Sequence, residues 1–504
     1  MGVCLLRGIR ALQPSVGALG PHKSLNARLD SSSDFRLVCA PLRIEMQAYF
    51  MNSTSNQAVN AGENRRSFIK KAATVAAAVG ASGIFKTPVY GQNQAPAPGR
   101  VLGANDRINV AYIGTGKQGM LHINLEKKNA QENNIAQVAV CDVYQRHLDQ
   151  ARNAIGVSEA DAFRDYRKLL KRKDIDAVVA APTDPWHAQV TIDALQAGKH
   201  VFCEKPMSRY FAEAFEAYDT VKKTGKTFVI GSQGCMDSKW HKAAEWIKAG
   251  KLGPLVWGQG SYCRNNKNNS EWTFPVDSGV NEQNLDWNRW LGKVPKIPFN
   301  PEHYFCWHKF YAYNSGIIGN LLPHRFQPMM LATGDPEFPR RVVATGTRKV
   351  STDREITDTT HLLAEFPSGL TLLVVGTTAN EQGLPEIIRG RKATLHFASS
   401  QNRVELKPEA IFTDEMEAEE FADPQPPEQI ARLEKNFFDC IRSGKTPVAN
   451  VELAIRAQTV LCLAEMSERL GLALFFDPKT RAIKTGDGRV IPPLTYDSVV
   501  PQIG

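Results

Sequence analysis

The sequence predicts an α/β chain in two folded parts: a doubly wound parallel sheet first, then an α+β domain. Three observations carry this. An apolar, β-branched run at 108–113 leads without a break into Gly114-Thr115-Gly116-Lys117-Gln118-Gly119 and then a helical stretch, the order that opens a parallel α/β sheet. Up to residue 231, short apolar runs alternate with helix-length segments, the pattern of βαβ units. Beyond it, strand-like runs at 255–263, 342–348, 361–366, 370–378 and 393–397 dominate. At 504 residues the chain is also too long for one core.

The elements of the first part follow in order. Gly114 permits the tight turn after the first strand. Gly116 lets the backbone approach a pyrophosphate, and Gly119 lets helix and strand pack closely. Thr115, Lys117 and Gln118 complete the loop, and the helix start offers unpaired N–H groups to phosphate. The second strand, 136–141, ends at Asp142, 23 residues after Gly119. A carboxylate there accepts from ribose hydroxyls and repels a 2′-phosphate, which favours NAD over NADP. Arg146, four residues on, is the feature that could reverse the choice. A third strand, 175–181, ends in Pro182-Thr183-Asp184-Pro185, and a helix is expected from about His187 to Ala197, closed by Gly198. The strand 200–203 runs into Glu204-Lys205-Pro206, and a last strand, 227–231, closes the sheet. Ligands of such sheets sit beyond the carboxyl ends of the strands. Thr183, His187, Glu204 and Lys205 are placed there.

The remaining composition narrows the class. The net charge of +9 is concentrated in residues 1–100, which hold 12 Lys/Arg against 4 Asp/Glu; the rest carries 49 against 48, a net of +1. Nucleic acid is therefore not expected as a partner. The nine cysteines are scattered without a C-x-x-C pair, neither a disulfide framework nor a zinc pattern. Asn64-Arg65-Arg66-Ser67-Phe68-Ile69-Lys70 precedes a weakly apolar run at 72–85 and a Pro/Gln/Ala/Gly tract. This resembles a twin-arginine export signal and its linker, and the run is too short to span a bilayer. The expected organisation is an extension at 1–50 with the true start at Met51, signal and linker at 51–104, a Rossmann domain at 105–231, a substrate and oligomerisation domain at 232–475, and a tail at 476–504. The protein is expected to be periplasmic or otherwise exported, with no membrane span after signal cleavage.

The glycine loop, the acid after the second strand, the P-T-x-x-x-H segment and E-K-P together resemble the glucose–fructose oxidoreductase and inositol dehydrogenase (Gfo/Idh/MocA) family, over roughly residues 107–470. The resemblance implies a second domain built on a large open, mostly antiparallel sheet, which caps the site and makes a dimer or tetramer. It implies a cis Pro206, and places Lys205 between nicotinamide and substrate. It also implies a catalytic helix, matched by GNLLPHRFQ, beginning near Gly319 with Asn320 and His324 on one face. Asn320 stands where the family has an acid, and Gln327 where many members have Asp.

Oxidising a sugar hydroxyl needs a base while hydride leaves carbon for the nicotinamide. Lys205 and His324 are the candidates, with Asn320 a hydrogen-bonding contact to the sugar. Among the aromatic residues of 272–313, Trp307, His308 and Tyr313 are expected to touch substrate, and most of the others to pack. Gln429–Ile441 and 451–470 read as amphipathic structural helices. No metal is expected. The leading reading is an oxidoreductase with tightly held NAD, NADP being possible, acting on a sugar, sugar acid or cyclitol. The alternatives are a redox-neutral, NAD-dependent glycoside hydrolase or lyase, and a sugar-binding protein without turnover.

Overall fold

The computed structural model of the protein describes residues 107–498; the arginine pair, the apolar run and the linker lie outside them. The first domain is a six-stranded, wholly parallel sheet in the order β3-β2-β1-β4-β5-β6. Its strands are β1 (Ile108–Ile113), β2 (Ile135–Cys141), β3 (Ala162–Phe163), β4 (Ala177–Ala180), β5 (His200–Glu204) and β6 (Phe228–Gly231). Helices cover both faces, so β4 and β6 are buried along their whole length. Winding reverses between β1 and β4, which opens a crevice at the strands' carboxyl ends. β3, only two residues long, has no sequence signal. The helix expected from His187 is Asp184–Gln196; Pro185 suits the first turn, where its missing N–H costs nothing.

The second domain carries an eleven-stranded sheet in the order β14-β13-β12-β11-β7-β10-β9-β8-β15-β16-β17, in which β12 is Ala393–Phe397. β7 (Leu255–Cys263) and β10 (Thr371–Thr377) pair in parallel, and every other recorded pairing is antiparallel. β8 (Arg341–Thr347) and β9 (Thr359–Glu365) alternate buried and exposed residues, as a sheet with one covered face must. The turn from β9 to β10 passes through Gly369 at φ +88°, a left-handed position that favours glycine. Six strands were not anticipated: β11 (Glu386–Gly390), β13 (Asn402–Pro408), β14 (Glu419–Asp423), β15 (Leu474–Asp477), β16 (Ala482–Thr485) and β17 (Val490–Ile491). Residues 476–491 of the segment expected to be a tail therefore continue the sheet, because β15 pairs with β8 and carries β16 and β17 outward.

The helices Ile430–Ser443 and Val451–Leu470 return from the second domain to the first. Leu433, Phe437 and Phe438 are buried, and the Phe437 ring lies 6.0 Å from that of Phe202 on β5. The N–H of Ile230 on β6 donates to the Ala449 carbonyl at 3.0 Å. Among the described residues no helix is long and apolar enough to cross a membrane.

A buried ion pair helps to tie the two parts. Arg209, just beyond the Glu204-Lys205-Pro206 turn, donates to both carboxylate oxygens of Glu465 on the Val451–Leu470 helix, at 2.6 and 2.8 Å, and to the Tyr311 carbonyl at 2.6 Å. Its side chain is 0% exposed. Arg209→Met leaves a buried carboxylate with only Arg469, at 3.1 Å, and is expected to cost about 3 kcal/mol, the low end for such a loss. Denaturant melts should show this, and Arg209→Met/Glu465→Met should recover most of it. A single variant that melts like the wild type would remove the pair from any account of the domain seam.

Candidate active site at the carboxyl edge of the first sheet

The glycine loop is shaped by its neighbours. Gly114 stands at φ +82°, and a Cβ there would lie 2.4 Å from Pro182 N; one on Gly119 would lie 2.0 Å from the Gly114 carbonyl oxygen. Both positions are closed by the chain itself. A Cβ on Gly116 would meet only the His147 ring, at 3.8 Å, so this turn stays open to a ligand. The helix that follows, Lys117–Asn129, has no side-chain cap, so its first N–H groups are left for a phosphate. The residues therefore fit a dinucleotide.

Asp142 is buried at the end of β2. Its Oδ2 accepts from the Thr115 N–H at 2.7 Å and the Thr115 hydroxyl at 3.2 Å, and its Oδ1 from the Tyr144 N–H at 2.8 Å. An ionised carboxylate has about four acceptor sites, so roughly one remains for a ribose hydroxyl, and Asp142 also fixes the glycine loop. Arg146 does not stand free beside it: it pairs with Asp277 of the second domain at 2.5 Å. Asp277 also accepts from the Tyr144 hydroxyl. Around this clasp, Gln145 N–H donates to Asn284 O at 2.8 Å and Asp286 N–H to Val143 O at 3.0 Å. The stretch 277–304 is thereby fastened to the end of β2.

The oxygens of Glu204, a residue expected at the cofactor, accept from Gln118 Nε2 at 2.8 Å and the Lys205 N–H at 3.1 Å, with His122 Nε2 at 2.9 Å. It anchors the turn to the glycine-loop helix. Thr183 caps Asp184–Gln196 without a side-chain bond. His187 is buried between two carbonyls, Nδ1 2.6 Å from Pro206 O and Nε2 3.1 Å from Pro182 O, and braces the two loops. The Lys205–Pro206 bond is cis.

The candidate catalytic helix is interrupted. It comprises Ile317–Asn320 and Pro323–Ala332, because Pro323 cannot donate within a helix but suits a first turn. Asn320 closes one segment and His324 opens the next. Lys205 Nζ donates to the Asn320 carbonyl at 3.2 Å. The Asn320 amide donates to Asn314 Oδ1 at 2.7 Å and Gly316 O at 3.0 Å, and Asn314 donates to Asp184 Oδ2 at 2.9 Å. Asn320 is thus a brace whose NH₂ group is already engaged, leaving only its Oδ1 for a sugar. Asp184 and Asn314, which sequence reasoning missed, complete it; Asp184 lay in a segment singled out for its position, while Asn314 gave no signal. Gln327 is buried.

Charge and burial tune the two bases. Burial, opposed by Glu204 and Asp184 and aided by Arg264, holds the Lys205 amine below its ordinary value. Burial and then the charges of Lys205 and Arg325 push His324 well below 6.5. Its ring lies 5.3 Å from that of Tyr262, and neither ring nitrogen has a partner within the described chain. His308 stacks on Trp307 at 3.8 Å, and burial with the charges of Lys205 and Lys117 brings it down to about 3. Lys117 lies over Phe274 at 5.5 Å. Tyr313 does not join this group: it is buried against Trp290, and its hydroxyl bonds His303 Nδ1 at 2.8 Å. Among the described residues no three His, Cys, Asp or Glu side chains are grouped to hold a metal ion.

Two models of the Gfo/Idh/MocA family match the chain: the oxidoreductase NAD-binding Rossmann fold over residues 108–232, and the oxidoreductase C-terminal alpha/beta domain over residues 275–490. A glycosyl hydrolase family 109 protein of Shewanella baltica is 27% identical over 214 residues, 40% of this chain and 46% of that protein. Family 109 protein 1 of Akkermansia muciniphila is 27% identical over 167 residues, 31% and 34% of the two. The chain spans less than half the length of these relatives. Among solved structures, an oxidoreductase domain protein from Kribbella flavida superposes with a TM-score of 0.57 at 20% identity, over 73% of this chain and 98% of that one. Aldose-aldose oxidoreductase from Caulobacter crescentus gives 0.56 at 18%, over 74% and 100%. Levoglucosan dehydrogenase with NADH and L-sorbose gives 0.56 at 16%, over 73% and 98%. These likenesses are of fold.

Asp142→Ala is expected to weaken NAD binding about ten- to a hundredfold, from bonds of roughly 1.5–3 kcal/mol to a charged acceptor. Asp277→Asn frees Arg146 and should raise NADP affinity several-fold. Calorimetric titration of both dinucleotides checks this; a wild type that already prefers NADP would transfer the selecting role to Arg146.

Proposed function

The chain belongs to the Gfo/Idh/MocA oxidoreductase family, with an NAD-binding first domain, and from this premise we propose that it interconverts a hydroxyl and a carbonyl on a sugar, sugar acid or cyclitol. The observation that supports this most is the hydrogen bond from Lys205, in the turn after β5, to the Asn320 carbonyl of the second domain at 3.2 Å, with the Lys205 charge also felt at His324. Bound NAD supplies the hydride acceptor or donor. The chain supplies the proton chemistry. Lys205, desolvated and depressed toward the working pH, takes the hydroxyl proton, since a base is most effective when its pKa lies near the pH. His324 stays neutral and orients the hydroxyl. Trp307 and His308 offer stacked faces to a sugar's C–H surface.

A second reading draws on the family 109 relatives: bound NAD would supply a transient oxidation of one sugar carbon, reversed before release, which would acidify the C–H beside it so that the aglycone leaves and water takes its place. The net reaction is glycoside hydrolysis. Lys205→Ala is expected to slow reduction of bound nicotinamide by sugars about a hundredfold or more. The wild-type rate should rise with pH through a value below 10.5 and show no acid limb near 6.5, because both His324 and Lys205 are depressed. In D₂O, the hydrolase route leaves deuterium on the carbon next to the oxidised one in every product sugar, and the simple dehydrogenase route leaves none. If Lys205→Ala reduces bound nicotinamide as fast as the wild type, the role of Lys205 falls; if the wild type itself shows no reduction with any sugar tried, both readings fall and a binding protein remains.

We also propose export by the twin-arginine route with NAD already loaded, supported by residues 64–70, and association through the open sheet, where Val343 and Leu363 are 39% and 40% exposed. Arg65→Lys/Arg66→Lys should leave cofactor-loaded precursor in the cytoplasm. Fractionation showing undiminished export of that variant ends the proposal.

A further inference from the structure

Beneath the cofactor edge runs a chain of buried ionisable groups. His122 sits in the second turn of the Lys117–Asn129 helix and is 0% exposed. Its Nε2 lies 2.9 Å from Oε1 of Glu204, and its Nδ1 2.7 Å from Oε1 of Glu434 on the Ile430–Ser443 helix. Glu434 is itself 0% exposed, and its Oε2 has no hydrogen-bond partner. One turn beyond His122, Glu126 accepts from the Tyr112 hydroxyl. The edge of His122 meets the Phe202 ring at 5.2 Å.

An imidazole held between two carboxylate oxygens must donate at both nitrogens, which only the cation can do. Burial opposes that charge, but hydrogen bonds to Glu204 and Glu434 outweigh it and raise His122 to about 10. On Glu204, burial is likewise outweighed, first by the His122 hydrogen bond, and its carboxyl is drawn down to about 2. A buried ionic set of this kind is weak evidence for stability, since apolar residues of the same volume hold a core as well or better. Its effect is therefore sought in what it does to Glu204, whose carboxylate lies directly behind Lys205.

We propose that His122, itself held by Glu434, is a positioning residue for proton transfer at Lys205. It fixes the Glu204 carboxylate against the turn and cancels much of that carboxylate's field, so that the Lys205 amine can release its proton at a working pH. The proposal rests on the function assigned to Lys205 above. The charged and titratable groups facing Lys205 are Glu204 and Asp184, which favour its ammonium, and Arg264, His324 and His308; those facing His122 are Glu204, Glu434 and Glu126. Two opposite signs follow. His122→Gln leaves Glu204 unopposed, so Lys205 holds its proton to higher pH. Glu204→Gln removes the anion, so Lys205 loses its proton at lower pH. Each shift is expected to be about one unit, the scale of one neighbouring charge in a protein interior.

The test uses full-length protein loaded with NAD. The pH dependence of Lys205 acetylation by acetic anhydride, read by peptide mass spectrometry, gives the lysine's pKa without turnover. The pH profile of bound-nicotinamide reduction is measured beside it. The proposal expects Lys205 to move up in His122→Gln and down in Glu204→Gln. A folded His122→Gln with an unmoved Lys205, or both variants shifting the same way, overturns it and leaves His122 a packing residue. If acetylation shifts but the reduction profile does not, the role of His122 toward Lys205 stands and the proton-transfer role of Lys205 is what fails. Should His122→Gln not fold, nitrogen NMR of the ¹⁵N-histidine-labelled wild type decides: His122 is expected to be doubly protonated from pH 5 to 9, and a neutral ring at pH 7 refutes the proposal.

Discussion

The seam between the domains depends on one run of short-range polar contacts: Asp184 to Asn314, Asn314 to Asn320, and the Asn320 carbonyl to Lys205. The first member opens the helix Asp184–Gln196 and the last lies in the turn after β5, both in the first domain; the middle two belong to the second domain. All but Lys205 are buried. Buried amides and carboxylates must be paired, so the two domains can meet in only one way that satisfies them. That requirement sets where His324 stands relative to Lys205, and how far from bulk water.

The same closure explains the protonation states. Lys205, Arg264 and Arg325 bring positive charge to one side of the site, while Glu386 and Glu428 neutralise Arg325 from behind. His324 feels burial and like charge together. A depressed imidazole and a depressed ammonium are the outcome, and in the proposed reaction this pair handles the hydroxyl proton without a carboxylate at Asn320.

The parts of this arrangement legible in the sequence were those written in a few consecutive residues. A glycine turn after a strand, an acid at the end of the next, and a lysine before a proline at a strand's end are local, and the doubly wound parallel sheet follows from them. Contacts between distant segments were not legible. Tyr144 and Asp277 are 133 positions apart, and nothing at either position announces the other. Asn320 was read as a substrate contact because GNLLPHRFQ resembles the family's catalytic helix; that resemblance says nothing of Asn314, six positions earlier, folding under it. The strands β13 and β14, next to and at the sheet edge, escaped notice because half of their residues are charged.

The helix Ile430–Ser443 lays Leu433, Phe437 and Phe438 over β5 and β6 of the first sheet, and β6 hydrogen-bonds Ala449. The nucleotide-binding half is therefore contiguous in sequence but not in assembly. During synthesis its strands emerge first, yet one apolar face stays uncovered until some two hundred further residues have left the ribosome. Folding of this chain is in that sense not vectorial: the segment made first is among the last to be finished, and any chaperone that meets the nascent protein meets that face.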